Sequence, residues 1–200
     1  MDNSLSLVSP AKLNLFLHIN GKRNSDQTFP GYHELQTVFH ILDRGDVLHF
    51  TLEKQPGIRI SPNFADIPLK DNLIYKAAEA LIVEANNKKI LPGVHIQIEK
   101  NLPMGGGLGG GSSNAATTLI ALNYLWQLNF DPNSLSTIGA RLGADVPIFV
   151  RGHSAWAEGI GELITPIKLK EYWYVILVPD CHINTGEIFS HERLTRDTPK

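Results

Sequence analysis

Six of the seven residues at 105–111 are glycine, out of 17 in the whole chain, and no other feature constrains the fold as much. A tight turn needs one or two glycines. Six together point to backbone that must approach something closely and keep its N–H groups available. Before the cluster, Val94-His-Ile-Gln-Ile-Glu-Lys alternates apolar and polar residues and predicts a strand. After it, Ser112, Ser113 and Asn114 offer N-caps for a helix to about Leu128, with Ala115, Ala116, Leu119, Leu122, Leu125 and Trp126 as its apolar face. Glycines between a strand and a helix N-terminus form a cradle for phosphate, because free N–H groups and the helix dipole both favour an anion there.

The kind of phosphate loop follows from what the segment contains. A Walker A loop needs Lys after its last glycine, and here Ser112 stands in that place. Gly105, Gly107 and Gly110 spell a formal GxGxxG with Asp131 about 20 residues further on, the spacing of a dinucleotide fold. However, residues 119–128 have helical rather than strand spacing, and Asp131 precedes a proline in a loop, so the dinucleotide reading is weak.

The rest of the chain reads as α+β. Leu13, Leu15, Leu17 and Ile19 alternate with polar or differently facing neighbours, and residues 35–42 and 47–52 are further strand candidates. Residues 21–31 form a polar loop. Residues 71–87 predict a helix capped by Asp71 or Asn72, and Asp131-Pro132 opens a helix that Gly143 stops. Residues 145–150 and 173–178 read as buried strands, and residues 154–158 with 162–165 as a hairpin.

Composition excludes several classes of function. With 42% apolar and 19% charged residues the chain is neither disordered nor a coiled coil, and 18 basic against 20 acidic residues give no general attraction for nucleic acid or anionic membrane. Any phosphate must therefore be held locally. A single cysteine, Cys181, cannot form an internal disulfide; the N-terminus has no secretory pattern, and no apolar run nears the ~18 residues of a membrane span, so the cytoplasm is the expected compartment. The eight histidines have no metal-ligand spacing, and His49, His95 and His153 read as structural or surface groups. Lys12 at a strand start is ordinarily a solvated charge. Asp145, between a helix-ending glycine and an apolar run, suits a cap or a catalytic carboxylate equally. Tyr32 and His33 suit either hairpin packing or stacking on a ring, and Trp156, Trp173 and Phe189 suit core or cleft lining.

Taken together, PAKLNLFLHI, GYHELQTVF, DNLI, LPMGGGLGGGSSNAA and LGADVPIFVRGHSAWAEGIGE resemble the GHMP kinase superfamily. Within it they are most similar to the branch that phosphorylates a cytidine diphosphate-linked methylerythritol on the methylerythritol phosphate route to isoprenoids. The resemblance spans residues 7–200. It implies a ribosomal-protein-like α+β domain with a mixed, largely antiparallel sheet over residues 1–168, and the start of a second α/β domain over 169–200. Members continue into the rest of that domain, which carries a third glycine-rich motif.

The resemblance also implies a role for each matching position. Asp145 matches the catalytic base and Lys12 its partner. Pro103, Met104, Gly105, Gly106, Gly107, Leu108, Gly109, Gly110, Gly111, Ser112 and Ser113 match the ATP phosphate loop, with Asn72 and Lys100 near the adenosine end. Asn14, Tyr32, His33, Thr185 and Phe189 match the pocket for the cytidine diphosphate substrate, Tyr32 and Phe189 stacking on cytosine. ATP is the implied co-substrate and Mg²⁺ its companion, with no dedicated protein carboxylate cage. The implied protein is a monomer or homodimer that binds neither nucleic acid nor membrane. Residues 24–29 are longer than the family's usual approach to GYH.

Overall fold

Strand β2 (His33–Glu53) is the spine of the sheet. In the computed structural model, which describes residues 3–26, 30–62, 67–85, 91–179 and 185–199, it joins the two strand candidates at 35–42 and 47–52 into one continuous element. Strand β1 (Ser4–Lys22) pairs antiparallel along one edge of it. On its other edge, β4 (Gly93–Glu99) pairs with residues 47–53 and β5 (Ala155–Glu158) with residues 37–39. Strand β3 (Ile58–Ser61) adds to β4 in parallel, and β6 (Leu163–Pro166) adds to β5, forming the expected hairpin. The sheet is thus mixed and mainly antiparallel, as the α+β reading requires. A doubly wound dinucleotide fold would need parallel neighbours throughout.

Helices α1 (Leu73–Glu84), α2 (Gly110–Leu125), α3 (Pro132–Leu142) and α4 (Val146–Arg151) contribute the other side of the core. Leu48, Phe50, Val94 and Ile96 from the sheet meet Leu81, Leu119, Leu122 and Ile148 from the helices, all fully buried. Asn72 caps α1, its Oδ1 accepting from Ile74 N, and Asp131 caps α3 through Asn133 N and Ser134 N. Both caps lie where side-chain chemistry placed them.

Three expectations are corrected. Residues 146–151 are a helix rather than a strand: Pro147 suits its first turn, Gly152 closes it with φ 69°, and a short apolar run buried all round has no periodicity to separate the two forms. Helix α2 is capped not by Ser112, Ser113 or Asn114 but by Gly109 in the left-handed conformation, with no side-chain cap; it ends at Leu125. Residues 173–178 form no strand and are not buried. Trp173 is 100% exposed and Val175 91%, because among the described residues no strand pairs with this segment, which touches the sheet through the Tyr174 ring, its centroid 5.4 Å from that of His40. Farther on, the chain runs back to β1, where Thr198 N donates to Ile19 O and Asn20 Nδ2 donates to Thr198 O. Cys181 lies outside the described residues.

Candidate active site

The glycine loop, β1, β2 and the start of α4 enclose a cleft of about 870 Å³. Lys12, Asn14, Asn72, Lys100, Asp145, Phe189 and every residue of 103–112 line it. Residues far apart in the chain therefore share one wall system, and each is placed by an identifiable local device.

Lys12 and Asn14 lie between two register shifts in β1, at Pro10/Lys12 and Asn14/Leu17. Bulges re-aim side chains. This pair breaks the simple alternation expected of β1, leaving Leu15 and Leu17 exposed while Lys12 is nearly buried. It also turns the Lys12 N–H away from the ladder to donate to Leu108 O in the glycine loop, at 3.0 Å. The Lys12 ammonium donates to Asn14 Oδ1 at 2.6 Å, lies 3.3 Å from Asp145 Oδ2 and sits over the Phe39 ring. An ammonium can only donate, so the Asn14 oxygen must face it. The Asn14 amide then donates to Thr37 Oγ1, whose hydroxyl donates to Phe16 O. The result is a directed chain with one orientation at every link.

Asp145 occupies the N-cap position of α4 without a side-chain cap hydrogen bond, so of the two readings that spacing left even the cap is not realised. Its side chain is 34% exposed at the cleft against 7% for Lys12. Packing seats it there: a Cβ on Gly139 of α3 would lie 2.7 Å from Val146 Cγ1, so only glycine lets α4 settle against α3. Gly109 is constrained both by conformation and by packing. Its φ is 73°, and an added Cβ would meet the Phe149 ring at 2.8 Å and Lys12 Cε at 3.2 Å. Since the first helical bond of α2 runs from Ser113 N to Gly109 O, the N–H groups of Gly110, Gly111 and Ser112 precede the helical ladder, on residues that line the cleft.

Not every residue of the motif reaches the cleft wall. Ser113 is fully buried beneath it, with Oγ 2.8 Å from Ser9 Oγ, and the same Ser9 oxygen is 2.7 Å from Asn114 Oδ1. Tyr32 is 52% exposed and, with His33, stands off the wall. His33 packs on Phe189 with ring centroids 5.1 Å apart and accepts from Arg196 Nε. Burial, then the charges of Arg196 and Lys22, hold the His33 pKa below its ordinary 6.5. Thr185 opens α5 (Thr185–Ser190), but its side chain lies outside the described residues.

Sequence reasoning missed Thr37 and Asp46. Thr37 looks like one more polar residue in an alternating strand. Asp46 follows a glycine at a strand start, an unremarkable setting, yet its carboxylate has no solvent exposure. Among the described residues no group of three or more His, Cys, Asp or Glu could hold a metal, and no helix is long and apolar enough to cross a membrane.

Comparison with known proteins matches residues 72–153 to the GHMP kinases N terminal domain. The chain is 59% identical over 197 residues to 4-diphosphocytidyl-2-C-methyl-D-erythritol kinase of Marinobacter nauticus, covering 98% of this chain and 66% of that protein. It is 53% identical over 199 residues to the enzyme of the same name from Pseudomonas aeruginosa strain UCBPP-PA14, covering 100% of this chain and 68% of the relative. It thus spans about two thirds of the length of the curated relatives it matches. Among solved structures, a 4-(cytidine 5'-diphospho)-2C-methyl-D-erythritol kinase superposes with TM-score 0.68 at 37% identity, over 83% of this chain and 56% of the other. Homoserine kinase from Cytophaga hutchinsonii shares the fold, with TM-score 0.59 at 17% identity over 85% and 53%. By sequence along its whole length and by the architecture around its cleft, the chain belongs to the 4-diphosphocytidyl-2-C-methyl-D-erythritol kinase family of the GHMP kinases.

Proposed function

We propose that the chain carries the catalytic machinery for ATP-dependent phosphorylation of 4-diphosphocytidyl-2-C-methyl-D-erythritol on its 2-hydroxyl, a step in isoprenoid biosynthesis. The observation that carries this reading is the Lys12–Asp145 pair, 3.3 Å apart, in the same cleft as the glycine loop. Asp145 is the base: Lys12 engages Oδ2, and Oδ1 accepts the proton of the substrate hydroxyl. The hydroxyl oxygen bonds to the γ-phosphorus as the bond from that phosphorus to the β,γ-bridging oxygen breaks, and ADP leaves. Lys12 offsets negative charge on the attacking oxygen and the transferring phosphoryl group, from a position fixed by Asn14 and Phe39. The open N–H groups of 110–112 hold the polyphosphate.

Mg²⁺ suits this site as a companion of ATP. Bound to nucleotide, the ion keeps most of its oxygen ligands from phosphate and water, so the Ser112 hydroxyl on the cleft wall suffices as a protein donor; the ion would screen phosphate charge. Phe189 and Tyr32 take the cytosine ring, with His33 behind Phe189. Residues 169–199 are the first stretch of a second domain, and the exposed apolar side chains at 173–178 suit a segment that packs against the remainder of it. The test is substrate-dependent ADP release, with phosphorus NMR locating the new phosphate. It is run on this chain and on one extended to the length of its relatives. No ADP release from the extended chain would overturn the assignment.

A further inference from the structure

Asp46 is the most buried charged residue among those described, and it stands outside the Lys12–Asp145 pair and the glycine loop. Its carboxylate has no exposure and three donors converge on it: Lys100 Nζ at 2.6 Å on Oδ2, and Asn101 N and Leu102 N, each at 2.8 Å, on Oδ1. The two N–H groups belong to the second and third residues after β4, where the chain leaves the sheet for the glycine loop. Asp46 itself lies one residue before the first β2–β4 pair, Val47 with Glu99. One carboxylate therefore pins the root of the loop to the spine of the sheet.

The same carboxylate fixes a cation at the other end of that loop. The Lys100 ammonium lies 3.3 Å from where a Cβ on Gly110 would be, and Gly110 is the first residue of α2. A fixed charge stands beside the open N–H groups of 110–112, with its side chain 22% exposed and on the cleft wall. A carboxylate with no exposure is retained only when its partners are well placed. Here the partners are the phosphate loop and its neighbouring cation.

We propose that Asp46 is a positioning residue for the polyphosphate: it sets the loop root and aims Lys100 at the phosphates rather than at the adenosine end. This rests on the reading of the cleft as an ATP site. Asp46→Asn keeps an oxygen for the two N–H groups but turns an NH₂ towards Lys100, so the ammonium is released while the loop root is kept. Lys100→Met alone would strand a buried carboxylate, so the second variant is the double Asp46→Asn/Lys100→Met, which removes both charges together.

Calorimetric titration with ATP, ADP and adenosine, beside thermal melts, separates the outcomes. The expected result is ATP affinity about tenfold or more weaker in both variants, a smaller loss for ADP, and adenosine affinity changed by less than about twofold. A loss equal for all three ligands, or no loss in folded protein, would overturn the positioning role; should Asp46→Asn not fold, the double variant decides alone. Failure of the unaltered protein to bind ATP would instead remove the nucleotide reading itself, and this inference with it.

Discussion

The two ends of the cleft are built differently. At the glycine-loop end the two lysines and the loop are held by partners on strands or helix starts: Lys12 by Asn14 and Asp145, Lys100 by Asp46, the loop by Lys12 N and by close contact with Phe149. Around Phe189 the aromatic groups are half-exposed or carried on short segments: Phe189 itself sits on the six-residue α5, and Tyr32 stands exposed off the cleft wall. A rigid end suits chemistry that any alcohol acceptor would share, since phosphoryl transfer depends on positioning. A looser end suits recognition, which closure around the ligand can complete.

Breaking the rigid end gives the largest effects. Asp145→Asn is expected to lower kcat by about a hundredfold to ten-thousandfold with little change in Tm, because the carboxylate is partly exposed and caps nothing; steady-state rates and melts check this. Lys12→Met follows, at about a hundredfold to a thousandfold. Gly109→Ala forces a Cβ into the left-handed region and against Phe149, so Tm falls by roughly 2–8 °C and ATP binding weakens; melting and titration report the two separately.

The looser end yields smaller effects that sharpen the contrast. Tyr32→Ala is expected to raise KM for the cytidine substrate about tenfold through lost stacking, while KM for ATP and Tm stay put. An equal rise in both KM values would show the two ends to be one unit. The smallest effect is the pH dependence of His33. Its pKa is depressed in the folded state by burial and by Arg196 and Lys22, so the fold disfavours the proton. Stability is then unaffected above the ordinary value of 6.5 and declines as pH falls below it. His33→Gln keeps an acceptor for Arg196 and removes this share of the decline, which melts at pH 7.5 and 5.5 compare.

The same contrast governs what can be read without coordinates. Periodicity finds β4, α1 and α3 and their caps, because Asn72 and Asp131 act on N–H groups two or three residues away. Periodicity fails at 146–151, where burial on all sides removes the polar positions that distinguish a helix from a strand. At 173–178 it fails for the opposite reason: a continuous apolar run states what a segment could bury but not whether a surface is there. In the site, Lys12, Asp145 and the glycine cluster are legible as motifs. Ser9, Thr37 and Asp46 are not, since each is an ordinary residue type made special by a partner between 21 and 105 positions away.

By itself, then, the sequence determined the α+β class, the glycine-rich strand-to-helix junction and the caps of α1 and α3, all of which depend on residues within a few positions of one another. Tertiary structure alone decided that Asp145 faces Lys12 instead of capping its helix, that Gly109 rather than a serine begins α2, and that a buried carboxylate at Asp46 ties the loop to the sheet. These outcomes depend on contacts across the fold, where close packing fixes which side chain meets which, and no local pattern encodes the distance between them.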